Sequence, residues 1–221
     1  SIFLSFIFPL LIGLLYNRPI GGLLWGGVLR VTLVHHFTFF INSFCHFLGE
    51  KNYEFNTTAK DSWFMAFFTF GEGYHNYHHK FQWDYRNGIK WYNFDPSKWI
   101  IKFLSFFKIT YSLKKASNYS IIKAKVDTAY NKIKTISQKL DFDNVFKNKV
   151  KSITENISIN LDLWKSLELK YKLSKENKKR DYKQKEKMYK LEIQKSLSTL
   201  IDYFYKNKEF NLIHPTRPTS S

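Results

Sequence analysis

The sequence predicts an all-α chain: an integral membrane helical hairpin, a cytosolic helical cap carrying clustered histidines, and a Lys-rich helical extension behind it. Three observations predict this. The chain is almost continuously apolar up to Leu48, three histidines fall within residues 75–79, and the basic residues crowd into the back half. Residues 1–112 hold 10 Lys+Arg against 6 Asp+Glu, whereas residues 113–221 hold 25 against 12. The slightly negative mean hydropathy is therefore the average of two segments suited to different solvents.

The hairpin is read from the apolar opening. Ser1 to Tyr16 (SIFLSFIFPLLIGLLY) is almost wholly apolar but shorter than the ~20 residues a spanning helix needs. No basic segment precedes it and no small-residue cleavage site follows, which argues against a signal peptide. With no initiator Met, the reading is a helix cut by the start of a fragment. A second apolar run, Pro19 to Leu48, is interrupted by Arg30, His35, His36, Asn42 and His46 and is long enough to cross a bilayer. Spans are expected at about 1–16 and 22–41, joined by Asn17-Arg18-Pro19-Ile20-Gly21-Gly22, whose turn chemistry suits a helical hairpin. The lysine-heavy remainder places the cap and the C-terminus on the cytoplasmic side. Cys45 is the single cysteine, so no intrachain disulfide forms, and it reads as a small packing residue.

The cap follows. Trp63 to Phe70 is apolar but too short to span, and leads into Gly71-Glu72-Gly73-Tyr74-His75-Asn76-Tyr77-His78-His79. On a helix, histidines at i, i+3 and i+4 lie within an arc of about 100°, so their imidazoles can converge on one or two metal ions. The bland reading is a histidine-rich patch, and a cluster beside a membrane segment favours metal. Zinc is the rival ion, since imidazole suits Zn, Cu, Fe and Ni alike. Structural zinc sites usually add cysteines, and none neighbours the box. Asn42 and His46, spaced i, i+4, point the same way from the end of the second run. Facing lipid they would be costly, so they are expected to face a protein interior, with helix packing as the competing reading. His35 falls on the same face, with packing as its default role. Asp95-Pro96-Ser97 reads as a helix start, and Lys98 to Leu104 mixes apolar and basic residues as a membrane-surface helix does.

The extension shows helical spacing at Val126, Tyr130, Ile133, Ile136 and Leu140. Trp164, Leu167, Leu169, Tyr171 and Leu173 start helically and drift, and Leu191 to Tyr205 again has an apolar face. Lys175 to Lys190 reads as a solvated helix or linker, and the tail from His214 as disordered. No nucleic-acid-binding motif accompanies the basic charge, so attraction to anionic lipid is the more economical reading.

Taken together, Asn42-Ser43-Phe44-Cys45-His46, GEGYHNYHH, Asp84-Tyr85-Arg86-Asn87-Gly88 and Trp91-Tyr92-Asn93-Phe94-Asp95-Pro96-Ser97-Lys98-Trp99 resemble the acyl-CoA Δ9-desaturase (stearoyl-CoA desaturase-like) family, from about Leu24 to about Val126. The resemblance implies the last two of four transmembrane helices within residues 1–126, followed by the extension at 127–221. It implies His75, His78 and His79 as iron ligands from the last histidine box, and His46 as the ligand after the fourth transmembrane helix. Asn42 is implied to approach the metal through water. Glu72, in the same box, is a candidate to orient a ligand histidine. Arg86 and Lys90, with Lys98, are candidate contacts for CoA phosphate or lipid headgroups, against the plainer reading of ordinary cytoplasmic-face charges.

The implied reaction is O2-dependent insertion of a cis double bond into a saturated acyl chain at a di-iron centre. Acyl-CoA is the implied substrate, and electrons come from an external cytochrome b5-like or ferredoxin-like donor. The expected location is a bacterial inner membrane or the endoplasmic reticulum. The family's upstream HxxxxH and HxxHH boxes do not occur in these residues. The expectation is therefore a C-terminal part, inactive alone, with a membrane di-iron hydroxylase and a catalytically dead, membrane-anchored basic interaction protein as the alternatives.

Overall fold

Two apolar helices open the chain, and their contact is set by glycine. In the computed structural model, which describes residues 2–140, 142–173 and 179–213, α1 (Phe3–Leu15) is followed by α2 (Pro19–Phe47). A Cβ added at Gly13 would lie 2.7 Å from the Arg18 carbonyl and 3.0 Å from the Gly22 Cα; one at Gly22 would strike the Pro9 carbonyl. Gly27 likewise meets Ser5 and Phe6 of α1. Partner numbers that fall on one helix as they rise on the other mark an antiparallel pair. Two segments of this pair are wound one residue per turn wider than α, Phe3–Ile7 and Gly22–Leu29. Among the described residues α2 is the one helix long and apolar enough to cross a membrane, with mean hydropathy 1.3 over its apolar window. Its 29 residues rise about 44 Å at ~1.5 Å each, more than the ~30 Å of a hydrocarbon core. Only 11% of that window is buried.

The remaining helices are α3 (Trp63–Phe68), α4 (His75–Lys80), α5 (Pro96–Phe106), α6 (Asn118–Ser137), α7 (Asn144–Leu173) and α8 (Lys179–Ile213). No strand forms among the described residues; Glu50–Asp61 and Asp61–Tyr74 are isolated antiparallel bridges. The chain divides into two units, Ser1–Lys51 with Asn56–Lys115, and Asn52–Phe55 with Ala116–Ser221. The second starts ahead of residue 127, where the sequence puts the extension, because Ile122 and Val126 of α6 belong to its core.

That core gathers Ile122, Ile133, Phe146, Ile157, Trp164 and Phe204 around α6, α7 and α8. On α7 the inward face runs Phe146, Ile157, Leu161 and Trp164, with Val150 and Ile153 packed beside them, in steps of three and four. The sequence reading followed Trp164, Leu167 and Leu169 instead, and Leu169 is exposed. The α8 face of Ile193, Leu200 and Phe204 lies within the expected Leu191 to Tyr205. Residues 179–190 of the charged run are helical, while 175–178 and the tail from His214 lie outside the described residues.

Candidate metal centre

The histidine box forms a short helix because buried groups hold it at both ends. Tyr77 N–H donates to Asp61 Oδ1 at 2.9 Å, and Asn76, fully buried, donates through Nδ2 to Ala59 O at 2.9 Å. Tyr77 is buried too, and its hydroxyl donates to Asp84 Oδ2 at 2.6 Å. Arg86 completes this knot with a forked pair to Asp84, Nε to Oδ1 at 3.0 Å and Nη2 to Oδ2 at 2.8 Å. Asn76 and Tyr77 thus point inward as anchors, which turns the histidines flanking them outward.

A second anchor is Asp95, fully buried. One carboxylate oxygen caps α5 by accepting from Lys98 N–H at 3.0 Å, and the other accepts from Asn87 and Gly88 N–H at 2.8 and 2.9 Å. Gly71 sits against this carboxylate with φ +103°, where a Cβ would lie 2.7 Å from Oδ1. The turn entering the box therefore needs glycine on two counts. The Lys98 ammonium donates to the carbonyls of Gly88, Lys90 and Asn93, and its burial lowers its pKa.

His46, on the last turn of α2, meets this box. One donor atom from each of His46, His75 and His79 lies within 4.8 Å of the others. Ring centroids are 5.1 Å apart for His46–His75 and 4.5 Å for His75–His79. Nε2 of His79 lies 3.2 Å from Nε2 of His75. Two nitrogens bound to one ion at ~2.1 Å each would be about 3.0–3.4 Å apart across octahedral to tetrahedral angles, so this pair fits a shared ion. Nδ1 of His46 shares a 2.7 Å hydrogen bond with Thr58 Oγ1. That leaves Nε2 as the ring nitrogen to offer a metal, the arrangement that fixes metal-ligating imidazoles. Burial, then the neighbouring imidazoles of His79, His46 and His78, pushes His75 down to about 4, and burial and the same kind of neighbours lower His79. Both rings are neutral at neutral pH, with lone pairs available.

His78 stands apart from this trio. Its ring lies nearly parallel to that of His75 at 6.4 Å, and both histidines line a cavity of about 230 Å³ with Thr38, Asn42, Glu72 and Asn87. Asn42 and Glu72 thus reach the same space as His78, one turn of α2 from His46. His35 is exposed, with its ring tilted 40° to that of Phe39 at 6.4 Å. Arg86 is engaged by Asp84, and Lys90 is exposed with its ammonium 5.3 Å from the Tyr92 ring centre.

Comparison with known proteins bears on the same residues. A family model described as fatty acid desaturase matches residues 1–111, which include every residue of the centre. The chain belongs to the fatty acid desaturase family. Acyl-CoA desaturase 1 of Saccharomyces cerevisiae is 42% identical over 142 residues, 64% of this chain and 28% of that protein. A probable acyl-CoA desaturase of Schizosaccharomyces pombe is 45% identical over 112 residues, 50% of this chain and 23% of its own length. The sn-1 stearoyl-lipid 9-desaturase of Synechocystis is 40% identical over 91 residues, 41% of this chain and 29% of that protein. The chain thus spans less than a third of the length of each of these relatives.

Within this chain, the residues that sequence reasoning missed are the anchors Asp61, Asn76, Tyr77, Asp84 and Asp95. All but Asp61 lay inside the segments that carried the resemblance. Nothing in their spacing marked them as the groups that aim the histidines.

Proposed function

We propose that this chain supplies part of the di-iron centre of an O2-dependent fatty acyl-CoA desaturase that introduces a cis double bond of the Δ9 type. The convergence of His46, His75 and His79 from two separate segments carries the reading. All three donors are imidazole, without thiolate, as suits iron and other borderline ions. Bound there, a pair of irons would supply, with O2 and electrons from a cytochrome b5-like or ferredoxin-like donor, the oxidising power that an unactivated methylene requires.

The chain's own part is to hold and aim. His46, His75 and His79 would hold one iron, and His78, which lines the cavity with Asn42 and Glu72, would contribute to holding the other. Asn42 acts through water and Glu72 orients an imidazole. Four imidazoles do not fill the coordination of two irons, so the reading includes further histidines from the family's HxxxxH and HxxHH boxes. In this reading α1 and α2 form the membrane hairpin, with the centre at its cytoplasmic end. Its exposed apolar surface favours hydrocarbon over water. Lys90 is the best placed of the three candidates for CoA phosphate, because Arg86 is committed to Asp84 and Lys98 is buried against backbone carbonyls.

The test is expression of the gene encoding this chain in a desaturase-deficient host, with fatty-acid analysis and iron determination. Monounsaturated products, lost in His75→Ala and His79→Ala, are expected. The 221 residues alone are expected to yield none. Hydroxy acids would indicate the hydroxylase reading. An intact, iron-loaded protein giving no new unsaturated species overturns the proposal.

A further inference from the structure

The second unit contains a cavity unconnected with the histidines. It has a volume of about 300 Å³, at the lower edge of the ~300–1,000 Å³ usual for small-molecule sites. Its buried lining is hydrocarbon and aromatic: Ile133 of α6, Phe142 ahead of α7, and Phe146 of α7, with Val150 and the hydroxyl residues Ser137 and Thr154 half-buried beside them. Its exposed lining is cationic, with Lys134, Lys147 and Lys151 against the single carboxylate of Glu155. Glu155 lies 4.0 Å from Lys151, and both side chains are more than half exposed, so the pair is weakly held.

An apolar interior closed by ammonium groups selects a ligand with a hydrocarbon body and one anionic end. A neutral hydrocarbon gains nothing from the lysines, and a small inorganic anion leaves the aromatic surface wet. We infer that this cavity binds the chain of a fatty carboxylate, its methylenes against Phe142 and Phe146 and its carboxylate at the lysines. At ~30 Å³ for each water-sized group, the space accepts about ten methylenes, a medium chain or the end of a longer one. This site lies in a different unit from the proposed iron centre, and its occupancy does not depend on that centre.

The test uses the whole chain in phosphatidylcholine nanodiscs with a photoreactive, alkyne-tagged dodecanoate, followed by peptide mapping. Labelling is expected within residues 130–155, displaced by dodecanoate at concentrations about tenfold below those needed with dodecanol. Lys134→Glu changes an exposed side chain and is expected to weaken capture about tenfold while leaving the helical circular dichroism unchanged. Val150→Phe fills the cavity from its half-buried side and is expected to abolish labelling. Replacing part of the phosphatidylcholine by phosphatidylglycerol distinguishes the source. Unchanged labelling supports the free carboxylate, and suppression assigns the pocket to membrane lipid and overturns the inference. Labelling confined to Pro19–Phe47, equal displacement by dodecanol, or indifference to Lys134→Glu also overturns it.

Discussion

Among individual residues, the division of labour inside the box is the informative feature. Five consecutive positions alternate between two tasks: His75, His78 and His79 offer nitrogen to the outside, while Asn76 and Tyr77 tie the helix to Ala59, Asp61 and Asp84. Burial of His75 imposes a pH dependence. His75 is held down to about 4, mainly by burial and then by its neighbours, against about 6.5 when unfolded. The unfolded chain thus binds a proton that the folded box refuses. Box stability is fully present above about pH 6.5 and falls as the pH drops towards 4. Hydrogen exchange of the Tyr77 amide in the metal-free protein is expected to accelerate through that window, and His75→Gln to remove the His75 contribution. An acceleration unchanged by His75→Gln would show that another group controls it.

At the scale of elements, the centre depends on carboxylates outside the candidate ligand set. Asp95 joins the turn at Gly71, the loop at Asn87 and Gly88, and the first turn of α5. Asp95→Ala strips one helix cap and leaves two further amides unpaired. It is expected to cost about 3–8 kcal/mol, from ~0.5–2 kcal/mol for a cap and ~1–3 kcal/mol for each of the two unsatisfied amides. Asp95→Asn is expected to cost less, since its one carbonyl oxygen still accepts. Thermal melts of the two variants check this, and equal losses would mean that the carboxylate does not join these segments. The sequence made α5 legible through Asp-Pro-Ser, and the structure finds Asp95 at its N-cap. It left the other role of Asp95 invisible, because acceptance from Asn87 and Gly88 depends on a loop returning from elsewhere in the chain.

Across the whole molecule, two sets of buried residues serve two different ends. The first unit spends its polar burial on the box, whereas the second is organised by apolar side chains around Trp164, which is fully buried. Trp164→Ala is expected to cost about 3–5 kcal/mol in the second unit. Iron binding by the histidines is expected to persist, as calorimetry and metal analysis on the same preparation would show. Loss of metal on that substitution would mean that the two units do not fold separately.

The all-α class, the apolar helix with His46 in its last turn, and the histidine spacing were all determined by the sequence itself, because helical periodicity and hydrophobic runs are properties of neighbouring residues. The division between His75 and His79 on one side and His78 on the other was decided by tertiary structure. A helix of six residues has no fixed facing of its own. Here its facing is set by Asp61 and Asp84, which arrive from loops before and after it. The same holds for α7, whose inward face through Phe146, Ile157 and Trp164 is chosen by α6 and α8 rather than by its own pattern. Local spacing specifies which side chains can act together. Buried partners from distant segments specify which of them do, because an unpaired polar group or an uncovered aromatic ring is costly in every other arrangement.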